Sequence, residues 1–134
     1  MLDIYLVPEK TTVTAKGDGP ALDIGAAQSR VLLLQLRITG TVEQESLDVS
    51  VFGGADENSL GKTPLASFPQ AFYRGEHPLL LDLTGLPDIK TLRAHWEVNR
   101  WGRGSDVPSF EFSLQATEVA PELLSQRERQ RHTG

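Results

Sequence analysis

Thr91-Leu92-Arg93-Ala94-His95-Trp96-Glu97-Val98-Asn99 decides how the rest of this chain is read. Its apolar residues fall at every second position. In an extended chain, successive side chains point to opposite faces. Leu92, Ala94, Trp96 and Val98 therefore share one face, and Thr91, Arg93, His95, Glu97 and Asn99 share the other. That period predicts a strand of an antiparallel sheet, with one side in a core and one in water.

The same alternation recurs outward from this stretch. Ser109 to Thr117 turns Phe110, Phe112 and Leu114 inward, and Leu47 to Val51 does so with Leu47, Val49 and Val51. Arg30 to Ile38 has Leu32, Leu34, Leu36 and Ile38 on its core face, and Val31 and Leu33 make its other face partly apolar, as in a central strand. Pro78 to Leu83 is a shorter strand with Leu79, Leu81 and Leu83 on one side. Weaker strands are expected at Asp3 to Val7, Thr11 to Ala15, Ala21 to Ile24 and Pro64 to Phe68. Between them lie turn-forming runs: Lys16-Gly17-Asp18-Gly19-Pro20, Gly53-Gly54-Ala55-Asp56, Arg74-Gly75-Glu76 and Gly102-Arg103-Gly104-Ser105-Asp106. Short strands at this spacing predict an all-β, antiparallel β-sandwich, jelly-roll or immunoglobulin-like, over residues 1–120. No helical pattern separates the strands, which argues against a parallel α/β fold. Pro121 followed by good helix formers predicts a short C-terminal helix or flexible tail over 121–134.

The 134 residues suit one domain, long enough to bury its own core. With no cysteine, disulfides, thiolate metal sites and cysteine nucleophiles are excluded. The opening Met1 to Pro8 has neither the basic start nor the apolar core of a signal peptide, and no run is apolar enough for a membrane helix. The expected location is the cytoplasm, or an assembled particle released from it. The formal charge is −5, and the acidic residues dominate before the mildly basic tail. An acidic body repels phosphate backbones, so no nucleic-acid partner is expected.

Chemistry-bearing motifs are sparse. His77, His95 and His132 form no helical metal pair; His95 stands beside Glu97 on a polar strand face, where a hydrogen-bonded or solvated role is expected. Ser105 beside Asp106 lacks any indicated base. Glu43, Glu45, Asp48, Asp82, Glu97 and Glu111 are candidates for a glycosidase pair, but their polar strand positions favour solvated surface. Asp56-Glu57-Asn58 offers oxygens without the ordered spacing of a calcium loop. No cofactor and no metal are expected.

The aromatics carry more. Trp96 falls on a core face. Trp101 sits in a loop between Arg100 and Arg103, where it can stack on a sugar, anchor a partner or plug the end of the sandwich. Phe68-Pro69-Gln70-Ala71-Phe72-Tyr73 is a second cluster open to the same readings.

Taken in order, several stretches form a pattern: Thr11-Thr12-Val13-Thr14, Gly19-Pro20-Ala21-Leu22-Asp23-Ile24-Gly25, Ser46 to Gly53, Phe68-Pro69-Gln70, Leu81-Asp82-Leu83-Thr84-Gly85-Leu86, Leu92 to Val98 and Pro108 to Ser113. Over roughly residues 11 to 118 it resembles the small β-sandwich structural proteins of tailed phages and prophage-like regions. The resemblance implies a virion-like or decoration role through protein–protein contact, and it brings no active site with it. The expectation is a non-enzymatic module that binds a protein partner or itself, with Trp101, Arg100, Arg103, Tyr73 and Phe72 as binding residues. A carbohydrate-binding module using Trp101 or Tyr73 is the alternative, and a glycoside hydrolase is third.

Overall fold

The computed structural model describes residues 1–41, 45–100 and 109–120. The tail expected over 121–134 lies outside them. Nine strands are present among the described residues: β1 (Asp3–Val13), β2 (Gly17–Asp18), β3 (Leu22–Asp23), β4 (Val31–Thr41), β5 (Glu45–Gly54), β6 (Ala66–Ser67), β7 (Gly75–Asp82), β8 (Thr91–Arg100) and β9 (Phe110–Glu118). They form two antiparallel sheets packed face to face. One has four strands in the order β1-β9-β4-β7; the other has β2-β8-β5-β6, with β3 also paired to β8.

Paired strands nest around the middle of the chain. β5 pairs with β6, β4 with β7, β2 and β3 with β8, and β1 with β9. Two further pairings, β4 with β9 and β5 with β8, close the folded-over hairpin into two layers. This is the jelly-roll path, and it separates the two sandwich types that the periodicity left together.

The alternation read from the sequence sets the core. Leu32, Leu34, Leu36 and Ile38 of β4 and Phe110, Phe112, Leu114 and Ala116 of β9 are buried from one layer. Leu47, Val49 and Val51 of β5 and Leu92 and Ala94 of β8 meet them from the other. Each such leucine or phenylalanine removed from water is worth roughly 1.5–3 kcal/mol. Trp96 is half-buried at the margin: its ring meets Phe112 of the opposite sheet edge-on, centroids 5.7 Å apart.

Four local expectations need correction. Asp3 to Val7 and Thr11 to Ala15 are not two strands but one, ending at Val13. Lys10 adopts φ 62°, and the extra residues of β1 bulge out between Val7 and Thr11 so that pairing with β9 resumes. Gly17-Asp18 lies in a run read as a turn, yet it pairs with Trp96-His95 as β2. The reason is close packing: a Cβ on Gly17 would sit 3.1 Å from the Trp96 ring, so glycine lets the strand lie against the indole without the ring having to shift. The strands expected at 21–24 and 64–68 shrink to two residues each. Glu45, expected in solvent, is 1% exposed. It accepts hydrogen bonds from Ser109 N (2.8 Å) and Thr41 Oγ1 (3.0 Å), tying together the ends of β4, β5 and β9.

Glu118 does the same work at the other end of β9. It is 4% exposed, and its carboxylate accepts from the backbone N–H groups of Leu2, Gln28 and Ser29. Hydrogen bonding from Leu2, helped by that from Ser29 and Gln28, holds its pKa below the ordinary value despite burial.

Candidate functional site

The two outer faces of the sandwich differ in how far they satisfy themselves. On the four-stranded sheet, a polar chain crosses every strand. Glu76 of β7 pairs with Arg37 of β4 (3.3 Å), and Arg37 donates to Gln115 of β9 (2.8 Å). Gln115 in turn donates to Asp3 of β1 (2.7 Å). These strands present their polar residues at the same level because their registers place Gln35 opposite both Pro78 and Gln115. The chain of bonds links all four strands across this face.

Toward the β7 edge the surface changes. Leu80 is 45% exposed and lies opposite the half-buried Leu33. Among the described residues β7 has no neighbour on its outer side in the sheet order. Leu83 N donates to Arg30 O, so the odd-numbered residues of β7 bond inward to β4 and the even ones face outward. Pro78 is one of the even residues, where its missing N–H costs the ladder nothing.

Just ahead of β7 stands the aromatic cluster. The structure divides it. Phe68 and Ala71 are buried, and Ala71 exchanges backbone hydrogen bonds with Leu47 at 2.8 and 2.9 Å. Held by that bridge, Phe72 and Tyr73 project from the surface, 40% and 79% exposed. Their rings are 6.4 Å apart and inclined at 51°. Of the other expected binding residues, Arg100 ends β8, with its backbone opposite Glu45. Trp101 and Arg103 lie outside the described residues.

The outer face of the five-stranded sheet carries a feature that the sequence reading missed. Asp18, Phe52, Leu60, Gly61, Arg93 and His95 line a shallow groove of about 280 Å³. Registers on both sides of β8 build it, because Asp18 and His95 are cross-strand partners, as are Phe52 and Arg93. The loop after β5 supplies the remaining wall. Gly61 N donates to Gly53 O (3.0 Å), and Leu60 bridges Gly54. A side chain at Gly54 would collide with the Ser59 backbone, so the return of this loop depends on glycine there. Asp56 Oδ1 accepts from Asn58 N (2.9 Å), so the acidic run shapes the turn.

Within the groove, His95 Nδ1 and Asp18 Oδ1 are 2.8 Å apart, and His95 Nε2 is 4.0 Å from Glu97 Oε1. The Phe52 ring meets the imidazole edge-on at 5.9 Å. Ser50 is the cross-strand partner of His95 on β5. An Asp-His pair with a serine alongside resembles part of a hydrolytic triad, but no hydroxyl among the described residues is hydrogen-bonded to Nε2. No group of three histidine or acidic side chains among the described residues could hold a metal ion. The only clue in the sequence to this groove was His95 beside Glu97. Asp18, distant in the chain and read as part of a turn, gave no sign of joining them.

No family model, curated protein or solved structure matches the chain.

Proposed function

We propose that this chain is a non-catalytic jelly-roll module that works by protein–protein contact, as a virion-like structural or decoration protein does. The observation that carries the reading is the exposure of Phe72 and Tyr73 just ahead of β7, which ends the strand order of its sheet among the described residues. Tyr73 in particular leaves most of its ring in solvent, and tyrosine is among the residue types enriched as interface anchors. The inclination of the two rings argues for a protein partner over a sugar, since together they offer no flat platform. Jelly rolls occur in capsid proteins and in lectins alike, so the fold by itself is only an analogy. No helix among the described residues is long and apolar enough to cross a membrane, and the proposed setting is the cytoplasm or an assembled particle.

The partner to test first is a second copy of the chain. Light scattering over a concentration series is expected to show a defined oligomer, and Tyr73→Ala to raise its dissociation constant roughly tenfold or more, as loss of an interface anchor does. A monomer throughout, the same in both proteins, overturns self-assembly and makes sugar stacking on Tyr73 the next reading.

A further inference from the structure

We infer that the groove on the five-stranded sheet is a receptor for a small carboxylic acid with an apolar body, with Arg93 as its counter-ion and Phe52 and Leu60 as its walls. Arg93 makes no ion pair and no hydrogen bond among the described residues, and its Nε is buried without a partner. A buried donor left unpaired in a folded protein calls for an explanation, and an acceptor brought by a ligand is one.

The neighbouring acids do not supply that acceptor, for reasons of geometry. Asp18 is turned to His95 Nδ1. Glu97 lies on the far side of the same imidazole, near Nε2. Asp48, directly opposite Glu97 on β5, accepts from Gln70 Nε2 (3.2 Å). The residue directly opposite Arg93 is Phe52, which has no acceptor. The histidine thus engages Asp18, and Arg93 lines the groove together with Phe52.

The same features select the ligand. A guanidinium fits a carboxylate with two parallel hydrogen bonds. Among the described residues it is the one Lys or Arg side chain lining the groove, and Asp18 stands beside it, so a monoanion suits the site better than a doubly charged phosphate. Phe52 and Leu60 favour an apolar body next to the charge. A volume of about 280 Å³ is at the lower end for ligand pockets, which favours a small acid over an extended peptide. This inference uses neither Tyr73 nor the β7 edge, so it stands or falls apart from the proposed assembly role.

Nitrogen-15 NMR on the whole chain tests it, following the Arg93 Nε–H and the amides of Phe52 and Gly61. Phenylacetate is expected to shift these signals saturably, while neutral phenylacetamide and short acetate each bind at least about tenfold more weakly. An acetylated dipeptide ending in phenylalanine shows whether a peptide terminus is an equal source of the same chemistry; tighter binding of this peptide would overturn the small-acid assignment. Arg93→Gln is expected to abolish the saturable shift. Phe52→Ala keeps the guanidinium and is expected to erase the preference for phenylacetate over acetate, which decides the matter if Arg93→Gln does not fold. Shifts that are absent, that never saturate, or that are equal for acid and amide would overturn the proposal.

Discussion

Glu118 is a carboxylate in a place where most carboxylates would be costly, and three backbone N–H groups make it tolerable. Those bonds favour its charged form, so its folded pKa lies below the unfolded value. A group depressed in this way stabilises the fold fully above its unfolded pKa, and that contribution is lost as pH falls through the folded one. The stability difference between wild type and Glu118→Gln, measured by thermal melts, is therefore expected to be widest near neutrality and to narrow from about pH 5 downward. A gap that stays constant on acidification would show that the charge is not what anchors Leu2 and Ser29. This residue was not legible beforehand, because a glutamate at the end of an alternating strand looks the same whether it meets water or three amides. Glu45 misled for that reason, and its burial becomes visible only once Ser109 and Thr41 are brought to it. Arg93 is the converse case. Its strand face was readable, but its lack of a partner among the described residues depends on where Asp18, Glu97 and Asp48 point.

At the level of elements, β4, β5, β8 and β9 were plain in the sequence because each carries several large apolar residues at period two. The short strands were not. β2 has a glycine and an aspartate and no apolar residue at all; it is a strand only because β8 accepts it through Trp96 and His95. β1 was seen in halves, since Pro8 to Lys10 breaks the alternation that the bulge later restores. Within the aromatic run the period of two did not separate exposed from buried: Phe72 and Tyr73 are exposed, whereas Phe68 is core. The β7 edge itself makes a prediction. Pro78 removes one outward donor from the row that a neighbouring strand would use, a device that limits sheet-to-sheet growth. Pro78→Ala is expected to leave the pairing with β4 intact and to convert a defined particle mass in light scattering into larger, polydisperse species. An unchanged mass distribution would mean that the side chains of β7, with no help from Pro78, already prevent extension.

The molecule as a whole depends on contact between its two layers, and Phe112 against Trp96 is one place where that contact is aromatic on both sides. Phe112 is fully buried. Phe112→Ala is expected to cost about 3–5 kcal/mol in urea unfolding, a large part of the roughly 5–15 kcal/mol that holds a typical domain. The slope of the unfolding curve should not change; a loss under about 1 kcal/mol would mean that the layers close over the gap. The nesting of the strands has a consequence during synthesis. β9 is made after the other eight strands, yet it lies between β1 and β4. At roughly 5–20 residues per second, β1 and β4 wait several seconds on the ribosome for it. Until then β1 has no strand to pair with, and the leucines of β4 are covered from one side of the sheet alone. A chain halted before Phe110 therefore presents two open strands at once, which is the kind of surface that chaperones and proteases bind.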